Sequence, residues 1–304
     1  MLKGQHILSS EQFDKESLLA LFKTAREMQE ALEKGEKLDL LAGKMMATLF
    51  YEPKTRTRFS FEAAMGRLGG KVLSNADMLK TSSAKKSETL WDTGKVVSQM
   101  ADVIAMRHPE KGAVAQLAEG SDVPVLNAGD GPGDHPTQAL LDMYSIWKYK
   151  GGLDGLTVGI IGDLKHSRVL RAQCKMLSQF DVKFKLVSPA DLALEDDVKS
   201  KLNDAQEFEN IADVIDELDV ISINRIQEER FESQQQADSY RGKFVLSKEL
   251  MGQAKEDAIV LCPLPRLEEL PKEIDEDPRA KYFEQVGNGV AARMALLLHV
   301  LGVK

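Results

Sequence analysis

Cysteine is nearly missing from this chain: Cys174 and Cys262 are the two among 304 residues. Two distant cysteines make neither a disulfide framework nor a thiolate metal cluster. Long apolar runs are missing as well, and none approaches the roughly 20 residues that a membrane-spanning helix needs. No signal-like stretch precedes the first charged helix, so the cytoplasm is the expected compartment. Positive charge is not in excess. Lys and Arg number 40 against 48 Asp and Glu, a net charge of -8, which gives no general reason to expect nucleic acid or an acidic membrane as a partner. That balance still leaves room for a local positive pocket that takes a small acidic molecule. A P-loop and a complete glycine fingerprint are also lacking, which argues against a nucleotide or NAD. What remains is an ordinary soluble composition, 43% hydrophobic and 29% charged, suited to two domains of about 150 residues each.

Within it, Thr55-Arg56-Thr57-Arg58 stands out. It lies between the apolar run 45–51, read as a buried strand, and a segment over about 56–68 whose apolar residues recur at helical spacing. Pro53 suits the turn between them. Two arginines and two threonines thus fall where a helix begins, and free N–H groups there attract anions. A guanidinium adds a two-pronged grip on phosphate oxygens. Taken alone, the tetrad reads equally as a capping threonine followed by surface arginines, so its surroundings decide.

Those surroundings alternate strand and helix. A first amphipathic helix begins near Asp14, with Leu18, Leu21, Phe22, Ala25 and Met28 on one face. Gly69-Gly70 ends the helix after the tetrad, and 71–73 reads as a short strand. The polar stretch 76–88 reads as a loop, either covering an anion or simply solvated. A helix holding Thr89, Leu90, Val96, Val97 and Met100 follows, then a strand over 101–106 that delivers Arg107 and His108. After a helix near 110–118, a strand at 123–126 opens into the glycine-rich loop 127–138. That loop enters a helix with Asp134 or His135 at its cap and Pro136 early in it. Gly151-Gly152 marks the junction of the halves. Strands at 157–161, 182–187, 220–223 and 258–261 form a second series; 191–207 is read as a helix plus exposed turn, and 211–217 as a short helix. The acidic stretch 268–277 is expected at the solvated surface, and an apolar helix near 290–301 closes the chain. In an open parallel α/β sheet, ligands bind at the strand ends that carry Thr55–Arg58, Arg107 and 135–138.

Taken together, these motifs resemble the aspartate/ornithine carbamoyltransferase family over nearly the full length. Thr55-Arg56-Thr57-Arg58 and His135-Pro136-Thr137-Gln138 are similar to its two signatures. Thr81-Ser82, Lys85-Lys86 and Glu88-Thr89 are similar to its neighbouring-subunit loop. Met106-Arg107-His108-Pro109, Gly162-Asp163-Leu164-Lys165, Arg225-Ile226-Gln227 with Glu229-Arg230, and Pro263-Leu264-Pro265-Arg266 resemble blocks of the aspartate branch. The resemblance implies an α/β fold of two parallel-sheet domains with an interdomain active site. Residues 1–149 would bind carbamoyl phosphate and 150–287 aspartate, while 288–304 would form a helix packing back on the first domain. The implied reaction is attack by the α-amine of L-aspartate on carbamoyl phosphate, an early step of pyrimidine biosynthesis, with no covalent enzyme intermediate. No metal or redox cofactor is required.

The same resemblance implies the site. Thr55, Arg56 and Thr57 would hold phosphate, with Arg58 structural. Arg107 would contact phosphate and the carbamoyl oxygen, which His135 and Thr57 also stabilise. Gln138, with the carbonyls near Pro263 and Leu264, would take the carbamoyl amide. Arg168 and Arg225, with Gln227 nearby, would clamp aspartate. Ser82 and Lys86 would reach in from an adjacent subunit, which implies a homotrimer with shared sites and leaves room for separate regulatory chains or a dihydroorotase partner. Plainer readings stand beside these: Arg168 as a bridge between helix and loop, Lys86 as part of a solvated charge run, His108 and His166 as local structure, Cys174 as core. Three positions carry variation or departures. Lys54 stands where serine is common, Cys262 where histidine is usual, and Arg171 where histidine and arginine alternate. An ornithine carbamoyltransferase would need acidic or neutral recognition of a cationic side chain, where Arg225-Ile226-Gln227 suits a carboxylate. A noncatalytic assembly protein of this fold is disfavoured by the presence of Arg56, Arg107, His135 and Arg168.

Overall fold

The computed structural model describes residues 2–78 and 88–304. They pack as two compact units, Met1–Tyr144 with Val286–Lys304, and Ser145–Gln285. The division falls within the helices Pro136–Lys150 and Glu284–Val300.

The first unit carries β1 (Met45–Phe50), β2 (Lys71–Asn75), β3 (Val103–His108) and β4 (Val125–Asp130), all parallel, in the order β2-β1-β3-β4. Central strands of a parallel sheet lie under helices on both faces, so they read as continuous apolar runs without alternation. Every residue of β3 and β4 is buried, and all of β1 after Met45. At the edge, β2 is largely exposed. Leu18, Leu21, Phe22, Ala25 and Met28 are buried along the Lys15–Glu33 helix. Asp14 caps it by accepting from the Ser17 N–H at 2.8 Å while its own N–H donates to Ser17 Oγ.

The second unit holds β5 (Thr157–Gly162), β6 (Lys183–Val187), β7 (Ala205–Phe208), β8 (Val220–Asn224) and β9 (Ile259–Leu261), parallel in the order β7-β6-β5-β8-β9. Ile161, Val187, Ile221, Ile223, Val260 and Tyr282 belong to its main core cluster.

Four features differ from the sequence reading. The strand expected at 123–126 continues as β4 to Asp130, because the β3–β4 register shifts past Met106 and pairs His108 with Asp130. Segment 191–207 contributes the start of an edge strand, β7, whose polar Ala-Gln-Glu-Phe lacks the apolar run that marks a central strand. The acidic stretch 268–277 is not all surface. Leu270 and Ile274 are buried, as is Glu269, and Asp275 accepts hydrogen bonds from Arg266 and Tyr282. In the helix Leu90–Ser98, Thr93 and Gly94 are buried, whereas Val96, and Met100 beyond it, are exposed.

Candidate active site

In the first unit the candidate residues gather at the C-terminal ends of β1, β3 and β4. Four residues separate the end of β1 from the Thr55–Arg67 helix, and Lys54 is its N-cap. Lysine is a donor only, so it cannot accept from the first-turn N–H groups as a serine would. No side-chain cap bond is made there, and the first turn holds no acidic residue. The amides of this turn, with the positive end of the helix dipole, therefore remain suited to an anion. Thr55 and Arg56 are exposed and Thr57 half-buried. Arg58 turns to its own helix instead: its Nε lies 3.7 Å from Glu62 and its guanidinium 5.3 Å from the Phe59 ring centroid.

Arg107 ends β3 level with Phe50 of β1. It is 5% exposed, its Nε donates to Glu52 Oε1 at 2.6 Å, and its Nη1 donates to the Ala128 carbonyl at 3.0 Å. Burial pulls its pKa down; Glu52 opposes that shift, and the charge of Arg56 adds to it. A bound dianion would favour the charge of Arg107 against both burial and Arg56, so the electrostatics favour phosphate at this place. His108 plays a different part. Its Nδ1 accepts from the Glu110 N–H at 3.1 Å, its ring lies 4.6 Å from that of Tyr51, and burial lowers its pKa. It is a packed, neutral-leaning structural group.

Beyond β4 the glycine-rich loop is built on two carboxylates. Asp130 accepts from the N–H groups of Asp134 and Gly112 and from the Asn127 amide. Asp134 accepts from Ser9 Oγ, from Ser10 N and Oγ, and from the His135 N–H at 2.6 Å. Gly131 holds φ +51°, and a Cβ there would stand 2.2 Å from the Pro109 carbonyl oxygen, so the turn accepts only glycine. This network presents His135, 4% exposed, as the N-cap of the Pro136–Lys150 helix, its carbonyl accepting from the N–H groups of Gln138 and Ala139. Gln138 Nε2 donates to Asp142 Oδ1 at 2.9 Å.

The second unit places its candidates at the ends of β5, β8 and β9. Gly162 ends β5 at φ +122°, and an added Cβ would meet the Asn224 carbonyl oxygen at 2.0 Å, which brings the two strand ends together. Ser167 caps the Arg168–Leu177 helix by accepting from Leu170 N–H at 3.3 Å, and it accepts from Asn224 Nδ2 at 2.5 Å. Arg168 is thereby held half-buried in the first turn. Asp163, fully buried, accepts from the His166 N–H and the Gln227 N–H.

Arg225 forks onto Glu229, Nη1 at 3.0 Å and Nη2 at 2.6 Å, and donates to the Ile226 carbonyl. Burial works against its charge, but Glu229, Glu269 and Glu228 outweigh it and raise the pKa. That fork is the geometry a ligand carboxylate would adopt with it. Gln227 Nε2 donates to the Arg225 carbonyl at 3.3 Å. Pro263 and Leu264 follow β9 half-buried, Leu264 at φ +54°, a conformation a leucine adopts only when its surroundings require it. Cys262, before them, is buried, with its N–H on Gln285 Oε1 at 3.0 Å. Cys174 is core, and burial pushes its thiol up to about 12.

Ser82 and Lys86 lie outside the described residues. Glu52 was not singled out from sequence, and Asp163 and Glu229 entered only as members of matched blocks, without a role. An acidic residue three places before an anion-binding tetrad is the signal that could have drawn attention to Glu52.

Comparison with known proteins meets this geometry at the same places. Residues 5–148 match the family model for the aspartate/ornithine carbamoyltransferase carbamoyl-P binding domain, and residues 154–300 match that for the Asp/Orn binding domain. The aspartate carbamoyltransferase catalytic subunit of Thermoplasma acidophilum is 44% identical over 305 residues, 99% of this chain and 100% of its own. The chloroplastic aspartate carbamoyltransferase of Arabidopsis thaliana is 46% identical over 96% of this chain and 76% of its own. Among solved structures, the Trypanosoma cruzi aspartate transcarbamoylase in complex with N-(phosphonacetyl)-L-aspartic acid superposes with TM-score 0.92 at 39% identity, covering 99% of this chain and 97% of that one. The catalytic subunit from M. jannaschii gives 0.91 at 41% identity, with 98% of each chain covered. From its strand-end arginines to its full-length likeness to catalytic chains of the aspartate branch, this chain belongs to the aspartate/ornithine carbamoyltransferase family.

Proposed function

We propose that this chain is an aspartate carbamoyltransferase, transferring the carbamoyl group of carbamoyl phosphate to L-aspartate and releasing phosphate and N-carbamoyl-L-aspartate. The observation that carries the reading is the pair of cationic strand ends. In the first unit the charge of Arg56 reaches Arg107, and in the second Arg225, already forked on a carboxylate, directly follows β8. A solved relative was crystallised with carbamoyl phosphate and aspartate together. In this scheme the neutral α-amine attacks the carbamoyl carbon, the carbon–oxygen bond to phosphate breaks, and the amine's proton passes to the departing phosphate. Thr55, Arg56 and Thr57 hold the phosphate oxygens. Arg107, His135 and Thr57 meet the negative charge that grows on the carbamoyl oxygen, and Gln138 with the carbonyls of Pro263 and Leu264 takes its NH2. Arg168, Arg225 and Gln227 hold aspartate. Catalysis comes from positioning and fixed dipoles.

The reading extends to a cytoplasmic homotrimer of pyrimidine biosynthesis in which Ser82 and Lys86 serve a neighbour's site. Exposed Leu73, Trp91, Val96 and Met100 on and after the edge strand β2 supply apolar surface in support. Product analysis of the purified protein with carbamoyl phosphate and either L-aspartate or L-ornithine tests the core claim. Carbamoyl-aspartate alone is expected, and Arg225→Ala should raise the KM for aspartate while leaving that for carbamoyl phosphate nearly unchanged. Carbamoyl-ornithine as the product would refute the aspartate assignment.

A further inference from the structure

The amide of Gln138 is held by a buried carboxylate. Asp142, which accepts from Gln138 Nε2 at 2.9 Å, is 2% exposed and lies one turn further along the same helix. The charge that acts on Arg293, also 2% exposed, is that of Asp142. Burial pulls Arg293 down to about 10, Asp142 opposes that shift, and the guanidinium keeps its proton at neutral pH. Arg293 Nη1 further donates to Ser60 Oγ at 2.9 Å and to the Gly289 carbonyl at 3.2 Å, and its plane lies 4.9 Å from the Phe61 ring centroid. Ser60 and Phe61 belong to the helix that opens with Thr55–Arg58. A lone buried charge is costly, and an opposite charge beside it offsets that cost.

A carboxylate accepts and cannot donate. Gln138 must therefore turn its NH2 toward Asp142, and its carbonyl Oε1, on the other branch of the planar amide, is what it has left for a ligand. A carbamoyl NH2 is a pair of donors and needs acceptors, whereas the arginines and first-turn amides of the phosphate end are donors. With the Gln138 amide reversed, donor would face donor. We propose that Asp142 is a positioning residue that fixes the Gln138 amide with Oε1 toward the carbamoyl NH2, and so selects carbamoyl phosphate over acyl phosphates that carry a methyl group there. The proposal rests on the carbamoyl-transfer reading above.

The test compares kcat/KM for carbamoyl phosphate with the inhibition constant of acetyl phosphate, in which a methyl replaces the NH2. Asp142→Asn keeps the side-chain volume and lets the two amides meet either way round. It should lower kcat/KM for carbamoyl phosphate at least about tenfold, the cost of one hydrogen-bonding group turned the wrong way, while the constants for acetyl phosphate and inorganic phosphate stay within about twofold. Asp142→Glu, which keeps a charge for Arg293, should shift selectivity in the same direction by less, and it serves if the first variant does not fold. Gln138→Met should erase the difference between wild type and Asp142→Asn, since coupled sites are not additive. Equal losses for both acyl phosphates, no loss for either, or additive effects with Gln138→Met would overturn the proposal. Wild-type protein that makes no carbamoyl-aspartate would overturn the reading of function itself.

Discussion

Arg107 shows why one side chain in this site has no substitute. It is buried, forked between Glu52 and the Ala128 carbonyl, and pressed by the charge of Arg56. A lysine has one point charge on a flexible stem and cannot bond Glu52, a backbone carbonyl and a ligand from a single plane. Arg107→Lys is thus expected to cost roughly 100-fold in kcat, about 3 kcal/mol, the scale of losing one donor to a developing oxyanion. Denaturant unfolding should move little by comparison, because the residue keeps its charge beside Glu52. A matching loss of stability would make Arg107 a structural residue. Lys54 belongs to the same scale: without an acceptor in its side chain it leaves the first-turn amides uncapped, which costs the helix some stability and leaves those amides to an anion.

Elements set the direction of these side chains. Parallel strands put their C-terminal ends on one edge, and each candidate of the described chain lies at such an end or in the loop or first helical turn beyond it. The loop before Arg168 is held by Ser167, which caps the helix and also accepts from Asn224 at the end of β8. Replacing Ser167 with alanine removes both bonds and leaves the Asn224 amide without that acceptor. A loss of about 1–2 kcal/mol of stability is expected, the usual scale for a buried cap, together with a higher KM for aspartate. Thermal and urea unfolding read the first, steady-state kinetics the second. Unchanged values in both would show that neither bond matters.

At the scale of the whole molecule, the expectation is that one chain does not hold a complete site. Variants Lys86→Ala and His135→Ala should each be nearly inactive alone. If Lys86 serves a neighbour, dissociating the two and reassembling them at equal amounts should restore about a quarter of the wild-type sites, the product of two halves for random mixing in a closed ring. Assay of the mixture after gel filtration decides it, because no recovery would place Lys86 in the chain's own site or in no site.

Much of this was legible before any coordinates. Strands β1, β3, β5 and β8 are apolar runs because both faces of a parallel sheet are covered. At or beyond strand ends stand residues whose polar chemistry an apolar core would not select, Thr55–Arg58, Arg107, His135 and Arg225. Alternation of strand and helix, with capping residues such as Asp14 and Ser167, is written in local chemistry, and so is the family likeness in the order of motifs. Local chemistry failed where partners are remote. β7 is polar because it is an edge, β4 outruns its apolar stretch because a register shift pairs its Asp130 with His108 of β3, and Leu270 and Ile274 are buried inside an acidic segment. The sequence by itself determined which residue types reach the strand ends and what they can bind, since spacing and side-chain chemistry suffice for that. Only the tertiary structure decided that Glu52 grips Arg107, that Glu229 occupies Arg225, and that Asp142 accepts from the Gln138 amide in a buried place. Arg107 lies 55 residues beyond Glu52 in the chain, and a contact across that separation exists only once the chain has folded.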